Sequence, residues 1–373
     1  MRIKTIFLIS VILVLGSLLT ACGNQSLAST DWPGMTVKDD MVYLSAGTYV
    51  YAINLANGQE LTLTQGSETT PVRFPADGRG GPFYGDPAFT SDGQMIIGSA
   101  NINDRKHPLF SANAEDFTTN WTFEDQAKDI WLAGALILDD TIYMPNSDGG
   151  LYAFDMNGNI KGKFVAEHAL WSNPVTDGET IYVASMDHHV YAVNPANLNQ
   201  VWKTELDASI TASPTVVDGR MYIATIGGTV YALDAATGQI IWQNNFEGGV
   251  SDHIVAAGDR LYLGLLYQDT GIIYTLNAED GSVIWSYDAG GAVTASPLVT
   301  DEMLVFVTET GTVRALDLDA KPLWMQTIDA KLYSTPVAAG DLILVAPMGK
   351  QDMMLVAYDT SGALKWIFAP VKK

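Results

Sequence analysis

Five histidines, one cysteine and a few arginines carry most of the chemistry open to this 373-residue chain. Asp252-His253 is the nearest thing to an acid/base pair, since a carboxylate next to an imidazole can set its tautomer and hold its proton. Neighbours in sequence are a weak signal, however, because successive side chains on a strand point to opposite faces. The same alternation keeps His188 and His189, which follow Asp187, from chelating one ion, and His253 stands far along the chain. No Gly-x-Ser-x-Gly elbow accompanies the histidines 107, 168, 188, 189 and 253. Arg73, Arg79 and Arg105 are more informative: cations gathered in one stretch of an acidic chain stand out in its electrostatic field.

The acidic balance is strong. Asp and Glu number 42 against 20 Lys and Arg, for a net charge of −22, which argues against general affinity for nucleic acid or anionic lipid. Hydrophobic residues make up 47% of the chain, enough for an ample core.

At the N-terminus, Met-Arg-Ile-Lys leads into an uncharged stretch from Thr5 to Thr20 and then Leu19-Thr20-Ala21-Cys22. The apolar segment is short for a membrane-spanning helix and reads as an export signal over residues 1–21. Leu-Thr-Ala-Cys resembles the bacterial lipobox, which implies cleavage before Cys22 and a diacylglycerol on its thiol; the alternative is an ordinary secretory signal with an incidental cysteine. Residues 22–33 then form a lipidated cysteine and a small, polar tether. Removal of Arg2 and Lys4 with the signal leaves 18 basic against 42 acidic groups, a mature charge of −24. Multiple acyl chains would hold such a protein stably to a membrane leaflet. With one cysteine, no disulfide can form within the monomer, so stability must come from packing.

What positions the candidate side chains is a repeat. Asn54, Asn113, Asp155, Asn194, Asp234, Asn277, Asp317 and Asp359 each close a short apolar run and open a turn, at intervals of 59, 42, 39, 40, 43, 40 and 42 residues. A period near 40 marks stacked supersecondary units that cannot bury their apolar faces alone. The clearest unit, from Ile210 to Phe246, holds four apolar runs bounded by Gly or Asx, which predict antiparallel strands A to D; Asp218-Gly219 is the A–B hairpin signal. Trp121, Trp202, Trp242, Trp285, Trp324 and Trp366 recur at one place in strand D, with Thr62 and Gly162 there in units one and three. They predict inter-sheet packing. Strands B and C are apolar on both faces, as in sheets stacked radially about an axis. The fold class is therefore all-β: an eight-bladed β-propeller over residues 34–373, its first blade ending near residue 64.

Ser213-Pro-Thr-Val-Val-Asp-Gly-Arg-Met-Tyr-Ile-Ala through Val-Tyr-Ala-Leu-Asp-Ala-Ala-Thr-Gly-Gln-Ile-Ile-Trp242 is similar to the PQQ-type propeller repeat, across essentially the whole mature chain. Eight such units behind a lipobox resemble the BamB-type lipoproteins, which implies a non-enzymatic scaffold in outer-membrane β-barrel assembly. The same repeat occurs in quinoprotein alcohol dehydrogenases, which hold pyrroloquinoline quinone and calcium on the axis. This chain departs from them in lacking their adjacent cysteine pair and a Cys-x-x-Cys-His haem site. No cofactor and no metal are expected.

In an up-and-down meander the D–A and B–C connections share one face. The long interval between Asn54 and Asn113 places an insertion there, roughly 64–86, with Arg73, Phe74, Arg79 and Tyr84; the next B–C connection carries Arg105 and His107. His188 and Tyr267 lie on B–C turns, and Asp252-His253 opens an innermost strand. This loop-rich face is the expected binding face. The reading is a lipid-anchored envelope scaffold, monomeric on its own, presenting that face to another envelope protein, with a β-barrel assembly role if the host has an outer membrane. The alternative is a propeller that binds a sugar or quinone in its central channel, or a quinoprotein-like enzyme.

Overall fold

The computed structural model describes residues 33–371 except 66, 101–105, 125, 251 and 269; the export signal, Cys22 and Arg105 lie outside the described residues. Eight four-stranded antiparallel sheets follow one another, over 34–74, 88–123, 136–165, 175–205, 215–245, 255–288, 298–327 and 337–368, and form an eight-bladed propeller. Blade five is representative: strand A is Thr215–Val217, B Arg220–Ala224, C Thr229–Asp234 and D Ile240–Asn245. Asp218 and Gly219 both take positive φ, 50° and 73°, which matches the twist of the strands they join.

Strands B and C are buried on both sides because each blade packs against two neighbours. One apolar cluster fills each of the eight junctions, and that between blades eight and one joins Leu344, Ala357 and Phe368 to Val42, Leu44 and Ile53. Trp366 Nε1 donates to Leu55 O across this junction (2.8 Å). Every blade is built from one continuous segment, so the ring closes by packing without strand exchange.

All eight repeat Asx side chains accept a backbone N–H two or three residues on, for example Ala56 N–H to Asn54 Oδ1 (3.0 Å) and Thr237 N–H to Asp234 Oδ1 (2.8 Å). They cap the C–D turns. On six of the eight turns rests the tryptophan of the preceding blade. Trp202 Nε1 donates to Ala235 O (3.0 Å), and the bond recurs at Trp121, Trp242, Trp285, Trp324 and Trp366. The ring lies so close to Gly238, where φ is +71°, that a Cβ there would stand 2.6 Å from Trp202 Cε3. Both the left-handed backbone and the flat contact call for glycine.

Blade one corrects the sequence reading. Thr62–Gln65 is not its outer strand; it pairs with Glu68–Pro71 in a separate hairpin, and Arg73–Phe74 completes the blade by pairing with Tyr51 and Val50. The first blade therefore ends at Phe74. The polar run Thr62-Leu-Thr-Gln-Gly-Ser-Glu-Thr-Thr70 has little to bury, whereas Phe74 supplies an apolar ring to the junction with blade two.

Where a blade lacks the tryptophan, the next blade lacks the glycine. Blade three has Gly162, and Leu198 (φ +59°) stands at the blade-four turn; a Cβ on Gly162 would meet Leu198 Cδ1 at 2.6 Å. Likewise blade one has no such tryptophan, and Phe117 (φ +60°) packs its ring against Tyr43 and Phe74, with centroids 6.2 and 6.3 Å apart.

Candidate functional site

The residues just ahead of each strand A face the propeller axis, and their polar groups join neighbouring blades. Met35 N–H donates to Asp86 Oδ1 (2.8 Å), Gly134 N–H to Asn173 Oδ1 (2.7 Å) and Asn173 N–H to Ser213 Oγ (2.9 Å). Thr215 Oγ1 donates to Ile254 O. Ser296 N–H is shared between Asp252 Oδ2 (3.0 Å) and Thr335 Oγ1 (3.2 Å), and Ser334 Oγ donates to Pro33 O (2.6 Å), closing blade eight on blade one. Between blades two and three the backbones approach closely instead: a Cβ on Gly85 would stand 2.6 Å from Ala133 O.

This ring encloses a cavity of about 680 Å³ lined by residues from blades one through eight, among them Tyr84, Asp86, Trp171, Asn173, Asp252, His253, Thr294 and Tyr333. Among the described residues its acidic side chains are Asp86 and Asp252, and neither Lys nor Arg lines it. Asp252 is saturated. Its Oδ1 accepts from His253 N–H (2.7 Å) and His253 Nδ1 (3.0 Å), its Oδ2 from Ser296 N–H and from Thr335 Oγ1 (2.7 Å). Burial alone would raise the Asp252 carboxyl, but the adjacent His253 charge and these hydrogen bonds outweigh it and hold the group far below the usual carboxylate range. Burial would likewise strip the His253 proton; Asp252 first, then Asp86, reverse this and raise the imidazole above its ordinary value. Asp86 goes the other way: burial pushes its carboxyl up, against the Met35 N–H, and the Asp252 charge adds to the rise, while the His253 charge and a hydrogen bond with the Asn173 side chain oppose it. The side chains of Asp252 and His253 keep about a third of their surface, 34% and 37%, and that surface faces the enclosed cavity.

Ser296 Oγ, His253 and Asp252 do not form a catalytic triad. Ser296 Oγ lies 3.1 Å from His253 Nδ1, the same nitrogen that engages Asp252, and donates to His253 O (2.6 Å). A relay needs the two ring nitrogens on different partners.

The other expected site residues are dispersed. Arg73 is buried and gives a bidentate pair to buried Glu60, with Nη2 also donating to Val371 O (2.7 Å) and the guanidinium over the rings of Tyr51 (5.3 Å) and Tyr49 (5.8 Å). Phe74 is core, 1% exposed. Neither belongs to an exposed binding face, because the segment that carries them is the outer strand of blade one and not a surface loop. Arg79 is fully outside, its side chain 89% exposed near Asp77. His107 is half-buried; its Nδ1 has no partner among the described residues and its carbonyl accepts Trp131 Nε1–H (2.7 Å). His188 is exposed at a turn with φ +74°, and Tyr267 sits at the tip of a hairpin of two eight-residue strands. Tyr84 alone of these joins Asp252 and His253 at the cavity.

Asp86, Trp171 and Ile226 are not among the residues expected from the sequence to form a site. Trp171 and Ile226 are 41% and 50% exposed, on the D–A connection into blade four and the B–C turn of blade five. An isoleucine between polar turn residues was a signal available to the eye; Asp86, distant in sequence from Asp252, carried none.

The family of the outer membrane protein assembly factor BamB matches residues 161–245 and 226–366, together more than half of the chain. The chain belongs to the BamB family. BamB from Moraxella catarrhalis superposes with a TM-score of 0.67 at 16% identity, covering 89% of this chain and 94% of that one. The computationally designed Ika8 protein matches with TM-score 0.68, 12% identity and coverage of 91% and 97%. The quinohemoprotein alcohol dehydrogenase ADHIIG from Pseudomonas putida HK5 matches with TM-score 0.69, 12% identity and coverage of 92% and 77%. At such identities these likenesses establish the fold. No curated protein sequence matches the chain.

The quinone and calcium held by enzymatic members of the repeat do not fit this BamB-family channel. Pyrroloquinoline quinone is a tricarboxylate, and among the described residues the lining opposes it with two carboxylates and no cationic Lys or Arg. Among the described residues, no group of three His, Cys, Asp or Glu side chains is placed to hold a metal ion.

Proposed function

We propose that the protein is a lipid-anchored scaffold of the cell envelope, held at Cys22, that binds another envelope protein through its D–A/B–C face and performs no chemistry of its own. The observation that carries the reading is the apolar surface on that face. Ile226 and Tyr267, on the B–C turns of blades five and six, stand on either side of Gly248-Gly249: Gly249 approaches Ile226 O, and Gly248 approaches Tyr267 Cβ. Trp171 adds a third exposed apolar side chain, its indole N–H donating to Ser147 Oγ (3.0 Å). The opposite face is made of Asx-capped turns bearing Glu115, Asp116, Glu279, Asp280 and Asp319, all polar. Aromatic and aliphatic anchors among polar neighbours are the composition of protein-binding patches. Family membership supports a partner in β-barrel assembly where the host has an outer membrane.

Photocrosslinking residues placed at 226 and 267 in the full-length protein, in native membranes, test this. A discrete adduct from these positions and none from position 279 is expected. Equal labelling from both faces, or no adduct from either, would overturn it. Cys22→Ser should release the protein from the membrane fraction.

A further inference from the structure

Beyond a protein partner on the D–A/B–C face, we propose that a hollow on the opposite, Asx-capped face, between blades two and three, binds a neutral sugar through the carboxamides of Asn113, Asn120 and Asn157. The hollow, at about 340 Å³, falls within the range of small-ligand sites, roughly 300 to 1,000 Å³. It is lined from the A–B hairpin, C–D turn and strand D of blade two and from the C–D turn of blade three. Behind it stands Ser111, wholly buried and paired with Trp121, where the tryptophans of blades four, five, seven and eight pair with Ala192, Ala232, Ala315 and Ala357. The Ser111 hydroxyl donates to Gln94 Oε1 (2.5 Å) and accepts from Asn120 Nδ2 (3.1 Å), and Gln94 Nε2 donates to Asp92 Oδ2 (2.9 Å) and to Met156 O (3.1 Å) across the junction. Blades five and six reach the matching carbonyls, Ala278 O and Leu318 O, with the longer Arg220 and Arg260. Glutamine leaves unfilled the space that a guanidinium takes. Just before the tryptophan, blades four to seven expose Val201, Ile241, Ile284 and Leu323, whereas blade two has Asn120, its carboxamide fixed by Ser111. Exposed polar groups held from beneath by a buried network are preorganised for a ligand.

The chemistry selects among ligands. Asn120 Oδ1, Asn113 Nδ2 and the Asn157 carboxamide have no hydrogen-bond partner among the described residues, and they offer acceptor and donor atoms side by side, which suits hydroxyl groups that both give and take a proton. An anionic ligand finds no Lys or Arg in the lining and meets Asp92. A cationic one finds both Asp92 oxygens already accepting, from Thr90 Oγ1 (2.6 Å) and Gln94 Nε2. An apolar ligand has only Trp121 and Met156 to cover it.

The test is isothermal titration of the full-length protein, in a detergent without a sugar headgroup, with N-acetylglucosamine, its β-1,4-linked dimer and maltose. We expect saturable binding of at least one of the three at one site per protein, weaker by roughly three- to tenfold in Asn120→Ala and in Ser111→Ala, the loss of one or two hydrogen bonds. Asn120 is exposed, and alanine already stands at the Ser111 position in four of the other blades, so circular dichroism melts should show both variants folded. Glu279→Ala, on the same face at blade six, should bind as the wild type does. Absence of saturable binding with all three sugars, unchanged affinity in both variants, an equal loss in Glu279→Ala, or tighter binding of phosphate or spermidine that the same two variants abolish would each overturn the proposal.

Discussion

Exchanging the two partners at one blade junction tests whether the tryptophan and the left-handed turn residue form a single unit. Gly162 and Leu198 occupy the places that Trp202 and Gly238 hold one junction on. Gly162→Trp alone drives a ring into Leu198, since even a Cβ would stand 2.6 Å from Cδ1; overpacking of this kind costs about 1–3 kcal/mol. Leu198→Gly alone removes a half-buried side chain, about 1 kcal/mol of apolar burial, and releases a non-glycine residue from φ +59°, which returns roughly the same amount. Its net effect is close to zero. Together the changes rebuild the neighbouring arrangement: the introduced indole lies on a glycine turn, and Pro195 O stands where Ala235 O accepts Trp202 Nε1–H. That carbonyl already takes Tyr143 OH (3.0 Å), just as Ala235 O takes both Trp202 and Tyr182 (3.1 Å), so a second bond has precedent in the same fold.

The double variant should therefore be at least as stable as the wild type, with a coupling of about 1–3 kcal/mol between the sites. Urea denaturation of the four proteins, monitored by far-ultraviolet circular dichroism at matched temperature, measures it. A coupling under about 0.5 kcal/mol would refute the reasoning, because independent sites add within that margin.

Arg73→Ala should destabilise the fold by about 3–5 kcal/mol, since it leaves Glu60 buried without its partner, and Arg73→Met with Glu60→Gln should recover most of the loss; neither change should alter crosslinking from position 226. Stability should be greatest in mildly acidic to neutral solution. His253, with its raised value, contributes fully below about pH 6.5 and loses that contribution as pH rises through the raised value; Asp252 contributes above about pH 4 and loses it only as pH falls through its lowered value. Asp86, raised by burial, is most favourable below about pH 4 and subtracts stability as pH rises from there through its raised value. Melting temperatures from pH 5 to 9 should fall with pH, and His253→Asn should flatten the fall. Trp366→Phe, which deletes the hydrogen bond to Leu55 O at the closing junction, should cost about 1 kcal/mol and lower the melting temperature without changing far-ultraviolet signal.

The repeat was legible because its determinants are local. Asx, a left-handed residue three or four positions later, and a tryptophan at fixed distance each report a turn or a strand register that neighbours in sequence dictate, so blade number followed from spacing alone. Blade one escaped that logic: whether Thr62–Gln65 or Arg73–Phe74 becomes the outer strand depends on which segment buries more against blade two, a tertiary competition that no local motif records. Arg73 misled for the same reason. A cation in a Gly- and Pro-punctuated stretch reads as a surface charge until Glu60 and Val371, at opposite ends of the chain, are seen to converge on it. Asp86 had the mirror-image problem, a plain loop aspartate until the ring sets it near Asp252.

The polar residues on the axis belong first to the fold, and that is what makes the remainder informative. Asn173, Ser213, Thr215, Ser296, Ser334 and Thr335 are accounted for by bonds from one blade to the next. Asp252 is accounted for by His253, Ser296 and Thr335. Groups spent on holding blades together would be present in any propeller of this register, so they say nothing about a ligand. Once they are set aside, the charged groups that still line the cavity are Asp86 and His253, each in the field of the other, beside the rings of Tyr84, Trp171 and Tyr333. A ring that needed only to close could bury these positions with Val or Ala at less electrostatic cost. Asp86 is a carboxylate that burial penalises and that the Met35 N–H, the His253 charge and the Asn173 side chain only partly compensate, a feature that closure of the ring does not by itself explain.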